Sequence, residues 1–383
     1  MVRDSTRLTP HRYVRSGAEL ASLMRRVSRE PLVAVDTEAA SFHRFVDRIY
    51  LIQVSIRRET AIIDPLTVED MSALGAVLRD PAIEVVFHDG DYDLRILDRD
   101  YGFHAQHLFD TRIAAHLLGE PAVGLAALVE KHVGVTLDKK YQRADWSRRP
   151  LPLEMLEYAA TDTRYLLELR EKLRGLLDAR GRLAWAEEEF QRLEGVRWTP
   201  PESNGNSYLR MKGARKLGRR ALAVLRELVP WRDRVAAELD RATFRVISNE
   251  ALLALSERQP RSHAELEKVG GISSRLVAER GESLLATVER GLAVAEKDLP
   301  RFPHAERHAA DPAFDQAVER LKGVRNAAAE RLGLDPGVLC PKGTLEAVAR
   351  ARPKSATALA EIPEVRRWQV EVLGGDFLKA LGN

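Results

Sequence analysis

Leu32-Val-Ala-Val-Asp-Thr-Glu38 (LVAVDTE) is a short apolar run that stops on two acids. It has the length of a buried strand, and the two-residue period of a strand puts Asp36 and Glu38 on one face. Outward from it the same kind of segment recurs. Tyr50–Ile56 (YLIQVSI) is rich in β-branched residues, Thr60–Ile63 runs into the turn signal Asp64-Pro65, Ile83–Phe87 (IEVVF) reads as a fourth strand, and Leu108-Phe109 opens a short fifth. Val68–Leu78 and Tyr92–Leu97 between them have helical spacing. Strands mixed with helices in this way predict an α/β domain around one central sheet.

The 383 residues suggest two or three domains at about 150 residues each. With 45% hydrophobic and 31% charged residues, the composition is that of a globular protein rather than a disordered one. No apolar stretch approaches the ~18 residues of a membrane-spanning helix. Met1–Ser16 is polar and Arg-rich with no apolar centre, so it does not read as a secretory leader. A single cysteine, Cys340, rules out an intrachain disulfide framework and a Cys-rich zinc site, and fits a cytoplasmic protein. The net charge of +3 hides an asymmetry. Residues 1–194 carry 28 basic and 32 acidic side chains, and the remainder 32 and 25. An acidic half joined to a basic half fits carboxylate chemistry coupled to a polyanion-binding appendage, or ordinary scatter of surface charge.

From Pro121 onward the strand signal ends. Leu125–Val133 and Leu153–Leu177 read as helices, the second with an apolar side of Leu156, Ala159, Ala160, Thr163, Leu166, Leu167 and Leu169. Residues 198–207 (WTPPESNGNS) have the composition of a linker, and everything beyond is helical in pattern. That last part repeats itself. In one ungapped register Leu239 meets Leu332, Leu252 meets Leu345, Pro260 meets Pro353, Ser262 meets Ser355, Leu266 meets Leu359, Gly281 meets Gly374 and Leu285 meets Leu378. The expected organisation is an α/β domain over 1–197, a linker at 198–211, a small helical domain over 212–292, a connector at 293–311 and a second copy over 312–383.

Three acidic positions fall at strand ends and helix starts. Asp36-Thr37-Glu38 ends the first strand. In His88-Asp89-Gly90-Asp91-Tyr92-Asp93, the strand IEVVF stops, Gly90 allows a turn, and Asp93 enters the first turn of the next helix. Asp91 there suits the helix dipole. Tyr158 and Asp162 lie one turn apart on a helix and share a face. Each alone has an ordinary explanation: a turn, a dipole, an exposed acid paired with Arg164. Together they form a hard oxygen donor set without Cys, which suits Mg²⁺ or Mn²⁺ rather than zinc. The chemistry natural to such a set is two-metal phosphodiester hydrolysis.

The order D-x-E, then an Asp after H-x-G, then Y-x-x-x-D resembles the three exonuclease motifs of the DEDD superfamily, in its tyrosine-bearing branch. The intervening sequence is similar to bacterial ribonuclease D. This holds for Phe109-Asp110-Thr111 followed by IAAHLLG, for Gln142-Arg143-Ala144-Asp145-Trp146 with Arg149-Pro150-Leu151, and for the run EMLEYAATDTRYLLEL. The repeated helical module resembles the HRDC domain, a nucleic-acid-binding module that ribonuclease D carries twice. The resemblance covers about the whole chain. It implies a ribonuclease H-like exonuclease domain with a central mixed sheet flanked by helices, followed by two small all-α HRDC-like domains. It implies that Asp36, Glu38, Asp93 and Asp162 hold two divalent cations, Mg²⁺ or Mn²⁺. Tyr158 would orient the attacking water and help to deprotonate it. The implied activity is 3′-5′ trimming of RNA, with tRNA precursors as substrates, to nucleoside 5′-monophosphates. The family often has an aromatic residue directly after the D-T-E triplet, whereas here Ala39 follows and Phe42 comes three residues later.

Other residues are candidates for RNA contact. Arg210–Arg220 (RMKGARKLGRR) holds six basic residues and no acid, so Arg210, Lys212, Arg215 and Lys216 either meet phosphates or form a solvated linker and helix start. Lys139, Lys140 and Gln142, near Trp146, guide the strand or pack the loop, and His88 touches the terminal sugar or satisfies a strand end. Trp185, Trp231 and Trp368 read as core rather than base-stacking platforms. A monomer without a membrane or disulfide partner is expected. A DNA 3′-5′ exonuclease and a non-catalytic RNA-binding adaptor are the competing readings.

Overall fold

The computed structural model describes residues 11–200, 205–303 and 311–382. Residues 1–10, residues 201–204 of the expected linker and residues 304–310 of the expected connector lie outside these. The chain divides into two compact units. One comprises the described parts of 1–39, 49–198 and 308–383, and the other 40–48 with the described parts of 199–307.

The first unit is built on a six-stranded mixed sheet in the order β1-β4-β3-β2-β5-β6. The strands are β1 (Arg12–Val14), β2 (Leu32–Ala39), β3 (Ile49–Ile56), β4 (Glu59–Ile63), β5 (Glu84–Phe87) and β6 (Leu108–Asp110). β2, β3 and β4 pair antiparallel, whereas β5 joins β2, β6 joins β5 and β1 joins β4 in parallel. The helices of this half are α1 (Gly17–Val27), α2 (Ser72–Arg79), α3 (Asp91–Tyr101), α4 (Thr111–Leu117), α5 (Leu125–Val133), α6 (Leu153–Arg164), α7 (Leu166–Ala179) and α8 (Leu183–Glu194). Val33, Val35, Ile52, Val54, Ile63, Val85 and Val86 are almost wholly buried in the core. Burying each such side chain contributes roughly 1.5–3 kcal/mol relative to exposure.

Two elements depart from the expectation. The helix expected over Leu153–Leu177 is two helices, broken at Tyr165. The three-residue β1 has no sequence pattern of its own and exists through its parallel pairing with β4.

The repeat is borne out element for element. The first copy consists of α9 (Arg219–Glu238), α10 (Thr243–Val246), α11 (Asn249–Arg258), α12 (His263–Leu266) and α13 (Ser274–Leu292). The second consists of α14 (Pro312–Leu332), α15 (Pro336–Leu339), α16 (Lys342–Ala351), α17 (Ala356–Ala360) and α18 (Arg367–Leu381). The alignment that pairs Pro260 with Pro353 also pairs the starts of all five helices. Its local chemistry repeats as well. Ser262 accepts a hydrogen bond from the Glu265 amide at 3.3 Å, and Ser355 from the Ala358 amide at 3.2 Å, each capping a short helix. The left-handed Gln259 (φ 51°) matches Arg352 (φ 46°). Gly281 is a close approach, because a Cβ there would lie 2.7 Å from the His263 ring.

The first copy belongs to the second unit. The second copy packs within the first unit, against α8 and α4. There Trp185 stacks on Trp368 with ring centres 4.9 Å apart, and Arg366 pairs with Glu189 at 3.1 Å. Arg182 donates to the carbonyls of Leu117 at 2.7 Å and Leu332 at 2.6 Å. Trp231 and Trp368 are buried and Trp185 half-buried, as the core reading of these residues requires.

Candidate active site

β2 ends in an irregular register: Glu38 faces Leu51, but Ala39 faces Ile49, so Tyr50 is bulged. Bulges re-aim strand ends, and this one lies directly after the D-x-E pair. β2 and β5 run in parallel, so the helix that follows β5 starts beside the end of β2, where open α/β sheets place ligands. The turn between β5 and α3 is tightly held. Asp89, not Gly90, takes the left-handed conformation (φ 61°). Gly90 is needed for another reason: a Cβ there would lie 2.7 Å from that of Phe87. Its amide donates to buried Asp110 at 2.7 Å, and Asp110 also caps α4 through the Arg112 and Ile113 amides.

This frame brings Asp93, in the first turn of α3, against β2. Asp93 Oδ1 accepts from the Thr37 amide at 3.0 Å and from the Thr37 hydroxyl. α6 packs against β2, β3 and β4 and supplies Tyr158 and Asp162 one turn apart. One oxygen from each of Asp36, Glu38 and Asp162 lies within 4.8 Å of the others. All three, with Asp93 and Tyr158, line a cleft of about 450 Å³. His88, Lys139 and Gln142 line it too, as do Asp89, Arg112 and Asp138. Thus every candidate from this half is brought to one place except Lys140. Its ammonium sits 5.0 Å from the centre of the Tyr141 ring instead.

Burial, then repulsion from Asp93 and Asp162, raises the Asp36 carboxyl well above its ordinary range. Burial, then Asp36, Asp162 and Asp93, does the same to Glu38. Burial pushes Asp93 up to about 6 and Asp162 up to about 7. Arg164 pairs with Glu157 at 2.6 Å rather than with Asp162, so the exposed-acid reading of Asp162 fails. Asp91 does behave as an ordinary first-turn acid, paired with Arg95 at 2.8 Å. Carboxylates this close repel one another unless a cation joins them, and an all-oxygen set suits hard divalent ions. The donor set therefore fits the expected metals.

Tyr158 packs edge-on to Tyr141 at 5.9 Å and beside Trp146 at 6.1 Å. Burial, then Asp162, Glu38 and Asp36, pushes its phenol far above the ordinary value. In the metal-free protein a phenol held this way keeps its proton. His88 Nδ1 lies 2.9 Å from the Thr111 hydroxyl, which itself donates to the Phe87 carbonyl. Nδ1 therefore carries the proton and Nε2 is an acceptor. Burial pushes the ring down to about 4, so it is neutral.

Sequence reasoning missed several neighbours. Gln53 faces Asp36 across the β2–β3 ladder, is wholly buried, and neither of its amide atoms has a hydrogen-bond partner. The one polar side chain between Ile52 and Val54 was its only signal. Arg149 anchors the segment carrying Lys139, Tyr141, Gln142 and Trp146. Its guanidinium meets buried Asp64 at 2.6 and 2.8 Å and the Tyr50 carbonyl at 2.8 Å, and the Tyr13 hydroxyl also donates to Asp64. Arg149-Pro150 was noted only as part of a motif.

The basic strip lies in the second unit. Arg210, Lys212, Arg215 and Lys216 are exposed there, with Arg215 over the Phe302 ring at 4.9 Å. Arg219 and Arg220 are spent otherwise, on the carbonyls of Leu299 and Leu292 at 3.0 Å each.

Comparison with known proteins gives the family. Residues 11–178 match the 3′-5′ exonuclease family, and residues 221–288 and 314–381 each match the HRDC domain. Ribonuclease D of Granulibacter bethesdensis is 31% identical over 94% of this chain and 90% of its own length. The chain belongs to the ribonuclease D family. Ribonuclease D of Escherichia coli is 38% identical over 74% of this chain and 75% of its own. The solved structure of Escherichia coli RNase D, described as an exoribonuclease involved in structured RNA processing, aligns with a TM-score of 0.71 at 30% identity, covering 98% of this chain and 99% of that one. The mixed-sheet α/β domain followed by two HRDC domains is thus the ribonuclease D architecture.

Proposed function

We propose that the protein hydrolyses RNA from its 3′ end, releasing nucleoside 5′-monophosphates, with 3′-extended tRNA precursors as substrates. The observation that carries this reading is the convergence of four carboxylates, from β2, α3 and α6, on one cleft beside the Tyr158 phenol.

Asp36, Glu38, Asp93 and Asp162 would hold two divalent cations, Mg²⁺ or Mn²⁺, which supply a water of lowered pKa and charge neutralisation at the phosphate and the departing oxygen. Tyr158 orients the attacking water by hydrogen bonding and helps to deprotonate it. The water's oxygen bonds to the last phosphorus, the bond to the 3′-oxygen of the preceding nucleotide breaks, and that oxygen leaves as a hydroxyl. His88 Nε2 accepts a hydrogen bond from the terminal ribose. Lys139 and Gln142 meet the strand at the mouth of the cleft, and the exposed strip of Arg210, Lys212, Arg215 and Lys216 meets phosphates further along it. The repeated elements support the two modules at 212–292 and 312–383, with the catalytic domain ending near 197. Among the described residues, no helix is long and apolar enough to cross a membrane. A cytoplasmic monomer belongs to the same reading.

Asp36→Asn and Asp162→Asn should each abolish Mg²⁺-dependent release of mononucleotides from a 3′-extended tRNA, with the far-ultraviolet circular dichroism unchanged. Tyr158→Phe should slow turnover by up to about 10²-fold while leaving RNA affinity intact. Undiminished release from both Asn variants rejects the assignment, and preferred hydrolysis of single-stranded DNA rejects the substrate.

A further inference from the structure

The two copies of the helical module can be compared position by position, and they differ most usefully at one corner. Just past the first helix, at aligned positions, a residue is left-handed in both: Asp240 (φ 44°) in one copy, Gly333 (φ 63°) in the other. The short helix that follows is Pro-Gly-Val-Leu in the second copy (α15), where Leu339 is fully buried. In the first copy (α10) it is Thr-Phe-Arg-Val, and none of its residues is buried. Phe244 stands where the second copy has Gly337, and Arg245 where it has Val338. One module thus has an aromatic ring and a cation at a corner where its twin has neither.

Phe244 is 51% exposed and does not face its own core. Beside it stands Phe42, 46% exposed, from the segment 40–48 that belongs to the same unit. The rings meet edge to face, 6.3 Å between centres at 77°. This geometry is built. Arg44 pairs with Asp240 at 3.2 Å, Asp240 also accepts from the Phe45 amide at 3.3 Å, the Ala242 amide donates to the His43 carbonyl at 3.2 Å, and Arg245 donates to the Phe42 carbonyl. Arg245 also lies over the Phe244 ring at 5.9 Å, and Arg241 is exposed on the same turn.

Two exposed aromatic faces held rigidly among arginines have the chemistry of a surface for unpaired bases. Every base has a π face, so stacking tolerates any sequence, while guanidinium groups meet the phosphates. The cations argue for a polyanion over an apolar protein partner. The segment that carries Phe42 also begins two residues after Glu38, so it is continuous in sequence with the catalytic strand. We infer that Phe42 and Phe244 form a base-stacking platform for single-stranded RNA, with Arg241 and Arg245 serving its phosphates. This rests on the exoribonuclease reading for its ligand, and it adds a binding site to it.

The test is equilibrium binding of a fluorescent oligoadenylate to the full chain in EDTA, which blocks hydrolysis. Phe42→Ala with Phe244→Ala should weaken binding by at least about fivefold, the low end for removing one stacking ring. Replacing both rings by Tyr should restore affinity to within about twofold. Replacing both by Leu, which keeps apolar bulk but has no π face, should bind as poorly as the Ala pair. Arg245→Ala should flatten the dependence of log affinity on log salt. Unchanged affinity in the Ala pair, or full affinity in the Leu pair, overturns the platform and leaves the nuclease reading standing. Weakened binding in a chain that releases no mononucleotide overturns the nuclease reading and leaves the platform.

Discussion

Asp93 is buried and Asp36, Glu38 and Asp162 are half-buried, and desolvation together with repulsion from their acidic neighbours raises the carboxyls of Asp36 and Glu38. The energetic sign of this arrangement is definite. Asp162 is pushed up to about 7 in the fold, against an ordinary value of 3.8. Its ionised form is therefore disfavoured by folding. The metal-free protein loses stability as pH rises from about 4 to about 7, and below the unfolded value the penalty vanishes. Asp162→Asn removes the charge. In EDTA the variant should melt no lower than the wild type at pH 4 and higher at pH 7. Mg²⁺ should raise the melting temperature of the wild type more than that of the variant. Scanning fluorimetry across that range checks it, and a variant less stable than the wild type at pH 7 in EDTA contradicts it. Much at this scale was legible in the sequence. Strand alternation gives Asp36 and Glu38 a common face, and helical spacing gives the same to Tyr158 and Asp162. The Thr37 contact that holds Asp93 was not, because it joins residues 56 positions apart.

Among the elements, the segment between α5 and α6 carries the aromatic wall of the site and has little regular structure of its own. Its position depends on the Arg149–Asp64 pair. Breaking a buried pair of this kind costs about 3–5 kcal/mol, because the remaining charge is stranded. Arg149→Ala and Asp64→Asn should each lower the melting temperature and raise KM. Made together they should cost clearly less than the sum, with a coupling of about 1 kcal/mol or more. Additive losses would show that the pair does not hold the segment. The strands β2 to β6 were readable as apolar runs bounded by turn residues. The break between α6 and α7 was not. Tyr165 (φ −102°, ψ −2°) stays close to helical, and neither Pro nor Gly marks the position.

For the molecule as a whole, duplication did not give two equivalent modules. The second copy is fastened to the catalytic domain through Trp368, Arg366 and the Leu332 carbonyl. At the position of Trp368 in the alignment, the first copy has Arg275, exposed and paired with Glu279 at 2.7 Å. Trp368→Ala should therefore cost about 3–5 kcal/mol, as removal of a buried aromatic does. Mononucleotide release at low temperature should survive, since the cleft is built from other residues. An unchanged melting temperature would show that the stacked tryptophans do not fasten the module. The repeat was legible because leucines, a proline and a capping serine hold one register across it. The different employment of the copies was not, because it depends on what each one meets in space. The charge imbalance between the halves was a blunt signal for the same reason. Part of the basic surplus, such as Arg219, Arg220 and Arg366, is used inside the protein.

The central claim is that four acids distant in sequence share divalent ions beside Tyr158. Anomalous diffraction from crystals soaked in Mn²⁺ tests it most directly. The account predicts two manganese peaks among the carboxylates of Asp36, Glu38, Asp93 and Asp162, both lost in Asp162→Asn. Manganese bound only elsewhere, in a protein that still trims RNA, would contradict it.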